Sequence, residues 1–240
     1  MSVNTPFTKD NLDQYLKELA KEYRRQNGKE MSAEIILIGG ASILANYGFR
    51  DITYDVDAII LASSAMKEAI NHVGDKFDLP NGWLNTDFTK TSSFSSKLIE
   101  HSRYYKRFSR ILTIRTIAAE YLIAMKLMSG RKYKNDISDI AGILLEHEIR
   151  SNPITMDQIK EACTNLYGSC DVIPKDSMNV LEDIFACDRL EYLYQQYRKE
   201  EQENMSGLIE FEKNSPGEAT RENIADLLKV IRAKKEAEES

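Results

Sequence analysis

An apolar run, Glu34-Ile35-Ile36-Leu37-Ile38, stops on Gly39-Gly40, and a second one, Thr53-Tyr54-Asp55-Val56-Asp57-Ala58-Ile59-Ile60, carries two aspartates one residue apart. Short apolar runs bounded by turn residues read as buried strands. In a strand, residues i and i+2 share a face, so Asp55 and Asp57 project together and Val56 points the other way. Two carboxylates on one face repel each other unless a cation lies between them. Such a pair suits Mg²⁺, which binds proteins through one or two carboxylates and takes substrate phosphates as further ligands. The glycine turn adds backbone N–H groups at a helix start, where phosphate binds. A metal beside a phosphate cradle points to phosphoryl or nucleotidyl transfer.

Several other classes are disfavoured. A net charge of −6 argues against a dedicated nucleic-acid coat, leaving room only for a local basic groove. Cys163, Cys170 and Cys187 are odd in number and lack metal-ligand spacing, and His72, His101 and His147 are scattered, so zinc is not expected. Free thiols fit a reducing compartment. The first residues, Met1 to Pro6, show no basic-then-apolar leader, and no apolar run approaches the roughly 18 residues a membrane span needs. The expectation is a cytoplasmic protein with no membrane partner.

The pattern along the chain gives the fold class. Residues 8–27 read as an amphipathic helix capped by Thr8, and 33–38 as a strand. Gly39-Gly40 form a turn, with a short helix from Ser42 to Tyr47 after it. Residues 52–61 form a second strand, and a helix capped by Ser63 or Ser64 follows to Val73. Pro80-Asn81-Gly82 is a turn, 85–97 a polar loop, and Ile111–Ile114 a third strand. Helices are expected from Ala118 to Met128, from Asp136 to about Glu148, and then over 155–167, 175–186, 187–205 and 218–236. The charges at 198–204 read as a solvated helix face. The basic and aromatic run Arg103–Arg110 reads either as a solvated hairpin or as a single-stranded nucleic-acid grip. The class is therefore α+β, a small mixed sheet flanked by helices (residues 1–116) followed by an all-helical half (117–240).

Arg50-Asp51-Ile52-Thr53-Tyr54-Asp55-Val56-Asp57, downstream of the glycine pair, resembles the Arg-x-x-Thr-x-Asp-x-Asp form of the nucleotidyltransferase superfamily. The form occurs in its abortive-infection toxin branch. A second block, Lys126 to Arg131 and then Asp136-Ile137-Ser138-Asp139, is similar to the Lys, small residue, Arg, Asp-x-x-Asp arrangement of that branch. The resemblance covers roughly residues 34–145. It implies a nucleotidyltransferase-like sheet and transfer of a nucleoside monophosphate from an NTP to a hydroxyl, with pyrophosphate released. It also implies two Mg²⁺ ions on Asp55 and Asp57, with tRNA or a protein as acceptor; a small-molecule acceptor stays open beside that. An antitoxin is the implied regulatory partner. Gly39 and Gly40 would approach the triphosphate, with Ser42 and Thr53 beside it. Lys126 and Arg131 would neutralise phosphate charge, and Asp139 would position Lys126.

Many superfamily members have a further acid on a later strand, but Ile111–Arg115 contains none. Either Asp87 or Asp139 fills that place, or metal binding is weak. Asp136 with Asp139 also fits a helix cap with an acid three residues on. The alternative function is a degenerate member acting as a nucleotide- or protein-binding module.

Overall fold

The computed structural model describes residues 6–28, 31–220 and 223–238; the leader reading rests on residues 1–5, outside that set. Helix α1 (Lys9–Asn27) opens on a capping box between Thr8 and Asn11, and its Leu12, Leu16, Leu19 and Tyr23 form the buried stripe. Then follow β1 (Ala33–Leu37), α2 (Gly39–Asn46), β2 (Val56–Leu61), α3 (Ala65–Phe77), β3 (Leu84–Asn85), β4 (Ser102–Phe108) and β5 (Leu112–Ile117). The rest is helical: α4 (Ala119–Ser129), α5 (Asp136–Ile149), α6 (Met156–Tyr167), α7 (Lys175–Ala186), α8 (Leu190–Asn214) and α9 (Ile224–Glu238). This is the expected mixed sheet with flanking helices and a helical second half. No helix among the described residues is long and apolar enough to cross a membrane.

The five strands are ordered β3-β2-β1-β5-β4. Strand β1 sits in the middle, antiparallel to β2 and parallel to β5. Its alternate residues serve two cores. Ile35 and Leu37 pack with α1, α3 and Trp83, whereas Ile36 packs with α4 to α8. Burial on both faces is why β1 reads as an unbroken apolar run. The second core crosses from strand to helix territory, joining Ile36, Ile38, Ile59 and Leu98 to Leu122, Ile123, Ile143 and Leu181.

Three local readings change, and at Arg103–Arg110 the hairpin alternative holds, β4 turning back onto β5. Strand β2 starts at Val56, not at 52, because the backbone of Thr53 is already paired with Phe7, N–H to carbonyl in both directions at 2.7 and 2.9 Å. Helix α2 starts at Gly39, so the glycine pair is its first turn and not a separate one. The polar stretch 85–97 contains the end of β3 and short 3₁₀ turns at Asp87–Lys90 and Ser96–Ile99, anchored by buried Phe88 and Leu98. The basic and aromatic run is the edge strand β4, in which Tyr105 and Lys106 both turn to Asp13 of α1.

Candidate functional site

A cleft of about 1060 Å³ opens where the start of α2, the segment 49–57, the end of α4, the α4–α5 loop and one face of α8 meet. Each wall has a local reason. Gly39 has φ +50°, in the left-handed region that favours glycine. A Cβ on Gly40 would lie 2.7 Å from Thr53 Oγ1 and 3.0 Å from Arg50 Nη2, so glycine lets segment 50–53 lie against the helix start. Helix α2 has no side-chain cap at Ile38, leaving its first turn of N–H groups to solvent or a ligand.

Asp55 and Asp57 both line this cleft, and Val56 between them is fully buried in the α1–α3 core. The shared-face argument therefore holds even though Asp55 precedes the strand. Neither carboxylate has a hydrogen bond or an ion pair among the described residues. Burial, and secondly the charge of Asp55, push the Asp57 carboxyl above its usual value; Lys134 and Arg131 pull the other way. Among the described residues no three His, Cys, Asp or Glu side chains stand close enough to hold a metal together. Of the two acids proposed for a third ligand, Asp87 is near enough to act on Asp57 by charge but is 75% exposed and paired with Lys90 at 2.8 Å. Asp139 is committed elsewhere.

That commitment is a chain of alternating charges. Lys126 Nζ lies 2.7 Å from Asp136 and 2.8 Å from Asp139. Arg50 Nη1 donates to both oxygens of Asp139, at 2.8 and 2.6 Å. Arg131 donates through Nε to Asp136 at 2.8 Å. Burial works to raise Asp136, but Lys126 and Arg131 outweigh it and hold the carboxyl well below the usual range. Burial likewise works to lower Lys126, and the two aspartates overcome it. Asp136 is therefore no helix cap: the N-cap is Asn135, and the Asp136 side chain turns to the two cations. The low effective dielectric of the site makes such pairs strong and their disruption costly.

Two further predicted residues separate here. Thr53 lines the cleft and donates to the Asp55 carbonyl at 3.1 Å, shaping the segment that carries the aspartates. Ser42 does not line it. Its side chain is fully buried and accepts from the Ile117 N–H at 3.1 Å, tying α2 to β5, which corrects its placement beside a nucleotide.

Sequence reasoning missed the α8 wall. The stretch read as a solvated face contains Glu201 and Asn204, each only 3% exposed. Glu201 accepts from the backbone N–H groups of Ile137 at 2.8 Å and Ser138 at 3.3 Å, capping α5 from a distant helix. Burial pushes its carboxyl up to about 8 against those donors. Tyr194 donates to the Phe49 carbonyl, and Arg198 donates to the Tyr194 hydroxyl, at the same wall. Arg50 stood inside the recognised motif without a role. The only sequence signal for it is its place in that motif, and for Glu201 there is none.

A family model described as nucleotidyltransferase of unknown function (DUF6036) matches residues 14–202. The match runs from α1 into α8 and takes in every cleft-lining residue named above. No curated protein and no solved structure matches the chain.

Proposed function

The chain belongs to this nucleotidyltransferase family, and we propose that it moves a nucleoside monophosphate from an NTP to a hydroxyl. The observation that carries the reading is the pair Asp55 and Asp57, side by side in the cleft at the start of α2 and without hydrogen-bond or ion-pair partners among the described residues. An oxygen-only donor pair in which burial and then the charge of Asp55 raise Asp57 fits Mg²⁺, with Asp55 and Asp57 as the residues that would hold it. Bound there, Mg²⁺ would neutralise phosphate charge and activate the attacking oxygen.

The chain's own residues supply the rest. The uncapped first turn of α2 presents N–H groups to phosphate oxygens. Lys126 and Arg131 add a positive field from one side of the cleft, held in place by Asp136 and Asp139. Arg50 clamps segment 50–55 to α5 through Asp139 and to the Ile52 carbonyl at 3.1 Å, which positions Asp55. The acceptor oxygen bonds to the α-phosphorus, the α–β bridging oxygen leaves with its electron pair as pyrophosphate, and the hydroxyl proton passes to a cleft carboxylate. The acceptor is a hydroxyl of an RNA or a protein, in keeping with the toxin-branch resemblance.

The test is a thermal-shift series with each NTP, with and without Mg²⁺, on wild type and on Asp55→Ala/Asp57→Ala. At about a hundred times its dissociation constant an NTP should stabilise the wild type by about 2.7 kcal/mol. That gain should require Mg²⁺ and vanish in the double variant. A metal-independent shift, or one surviving in the variant, would put the nucleotide elsewhere. A second reading, a binding module without turnover, is favoured by the exposure of Asp87 and its pairing with Lys90. It expects the same shift but no pyrophosphate release with any acceptor fraction.

A further inference from the structure

The cations around the cleft differ in how far they are already used. Arg50, Lys126 and Arg131 are bound to Asp136 or Asp139. The N-terminus of α5, which could otherwise receive an anion, is filled by the Glu201 carboxylate. Arg198 is engaged with the Tyr194 hydroxyl. In the α4–α5 loop, Lys132 turns away from the cleft to Asp176, at 3.6 Å. Lys134, two residues on, lines the cleft, and among the described residues its ammonium has no hydrogen bond or ion pair. Its charge nonetheless acts on Asp57.

We propose that Lys134 binds the β- and γ-phosphates of the incoming NTP and so makes the cleft selective for a triphosphate over a monophosphate. The inference rests on the nucleotidyl-transfer reading above. Two carboxylates with their metal leave most of a triphosphate's charge unmet, and the paired cations of the network are half neutralised by their aspartates. An uncommitted ammonium facing the same carboxylates meets the part of the ligand that a monophosphate lacks. A compact point charge on a flexible stem suits this task. Because Lys134 is half-exposed and has no ion-pair partner among the described residues, its removal strands no buried charge among them.

Calorimetric titration of the full chain with the four ribonucleoside triphosphates and their monophosphates, in Mg²⁺, tests this on wild type, Lys134→Ala and Lys134→Arg. For the preferred base, Lys134→Ala should weaken the triphosphate by about tenfold or more. It should leave monophosphate affinity and the melting temperature as in wild type, and Lys134→Arg should recover most of the loss. Unchanged triphosphate affinity in Lys134→Ala overturns the proposal, as does an equal loss for both ligands. Either result leaves the nucleotidyl-transfer reading standing, provided the wild type binds. A wild type that binds none of the triphosphates overturns both.

Discussion

Two pairs of aspartates, both facing one cleft, are treated in opposite ways. Asp136 and Asp139 are buried, and each meets two cations at ion-pair distance. Asp55 and Asp57 are open to the cleft, and Asp57 feels, besides its burial, the charges of Asp55, Lys134, Arg131 and Asp87. The first pair is satisfied inside the fold, and Lys126 and Arg131 hold Asp136 below the usual carboxylate range against its burial. The second is left with unspent charge, and Asp57 moves upward. A carboxylate the fold has already neutralised holds structure together, whereas one it has left bare is available to a ligand. The two pairs thus divide positioning from binding within a single site.

The sharpest way to break this comparison is to delete one member of each pair. Asp136→Ala strands Arg131, leaves buried Lys126 with Asp139 alone, and should cost roughly 3–5 kcal/mol in urea unfolding. Asp57→Ala should cost far less, and equal losses would erase the distinction. Next in size is Gly40→Ala, whose new Cβ would press on Thr53 and Arg50. Overpacking of this kind costs about 1–3 kcal/mol; it should also lower NTP affinity by shifting segment 50–55, which a titration would read.

Smaller effects lie in the pH dependence. Glu201 has a folded pKa of about 8 against an ordinary value of 4.5. Its contribution to stability is therefore present below 4.5 and lost as pH rises through about 8. Melting curves from about pH 5 to about pH 9 should show Glu201→Gln gaining on wild type as pH rises; a flat difference would mean that the helix cap holds the carboxylate ionised throughout. Asp136 has the opposite sign, its contribution being present above 3.8 and lost as pH falls through its depressed folded value. The smallest expected effect is Asp57→Asn without ligand, within about 0.5 kcal/mol of wild type near neutrality. What change there is should be a gain, since the raised Asp57 loses its contribution as pH rises through its folded value.

Much of the scaffold was legible in the chain. Thr8 and Asn27-Gly28 bracket α1, Gly130 ends α4 with φ +54°, and the unalternating run 34–38 announced a strand buried on both faces. Strand period put Asp55 and Asp57 on one face, and both do line the cleft, although Asp55 precedes β2. Other assignments failed where a distant partner decides. Ser42 looked like a phosphate ligand beside the glycines, until the N–H of Ile117 claimed it. Asp136 looked like a cap because capping is a local pattern, while its cations come from α4 and the loop after it. The charged stretch 198–204 looked solvated because charged side chains usually are, whereas α5 places bare N–H groups against Glu201.

The sequence by itself determined the local terms: helix caps, the double-faced central strand, the glycines that permit close approach, and the spacing that sets two aspartates on one face. These depend on backbone sterics and side-chain period, which act over a few residues. Only the tertiary structure decided which charges are neutralised and which are left for a ligand. Neutralisation depends on ion-pair distances between residues far apart in the chain, such as Arg50 with Asp139 and Glu201 with the start of α5, and packing alone brings those groups within reach.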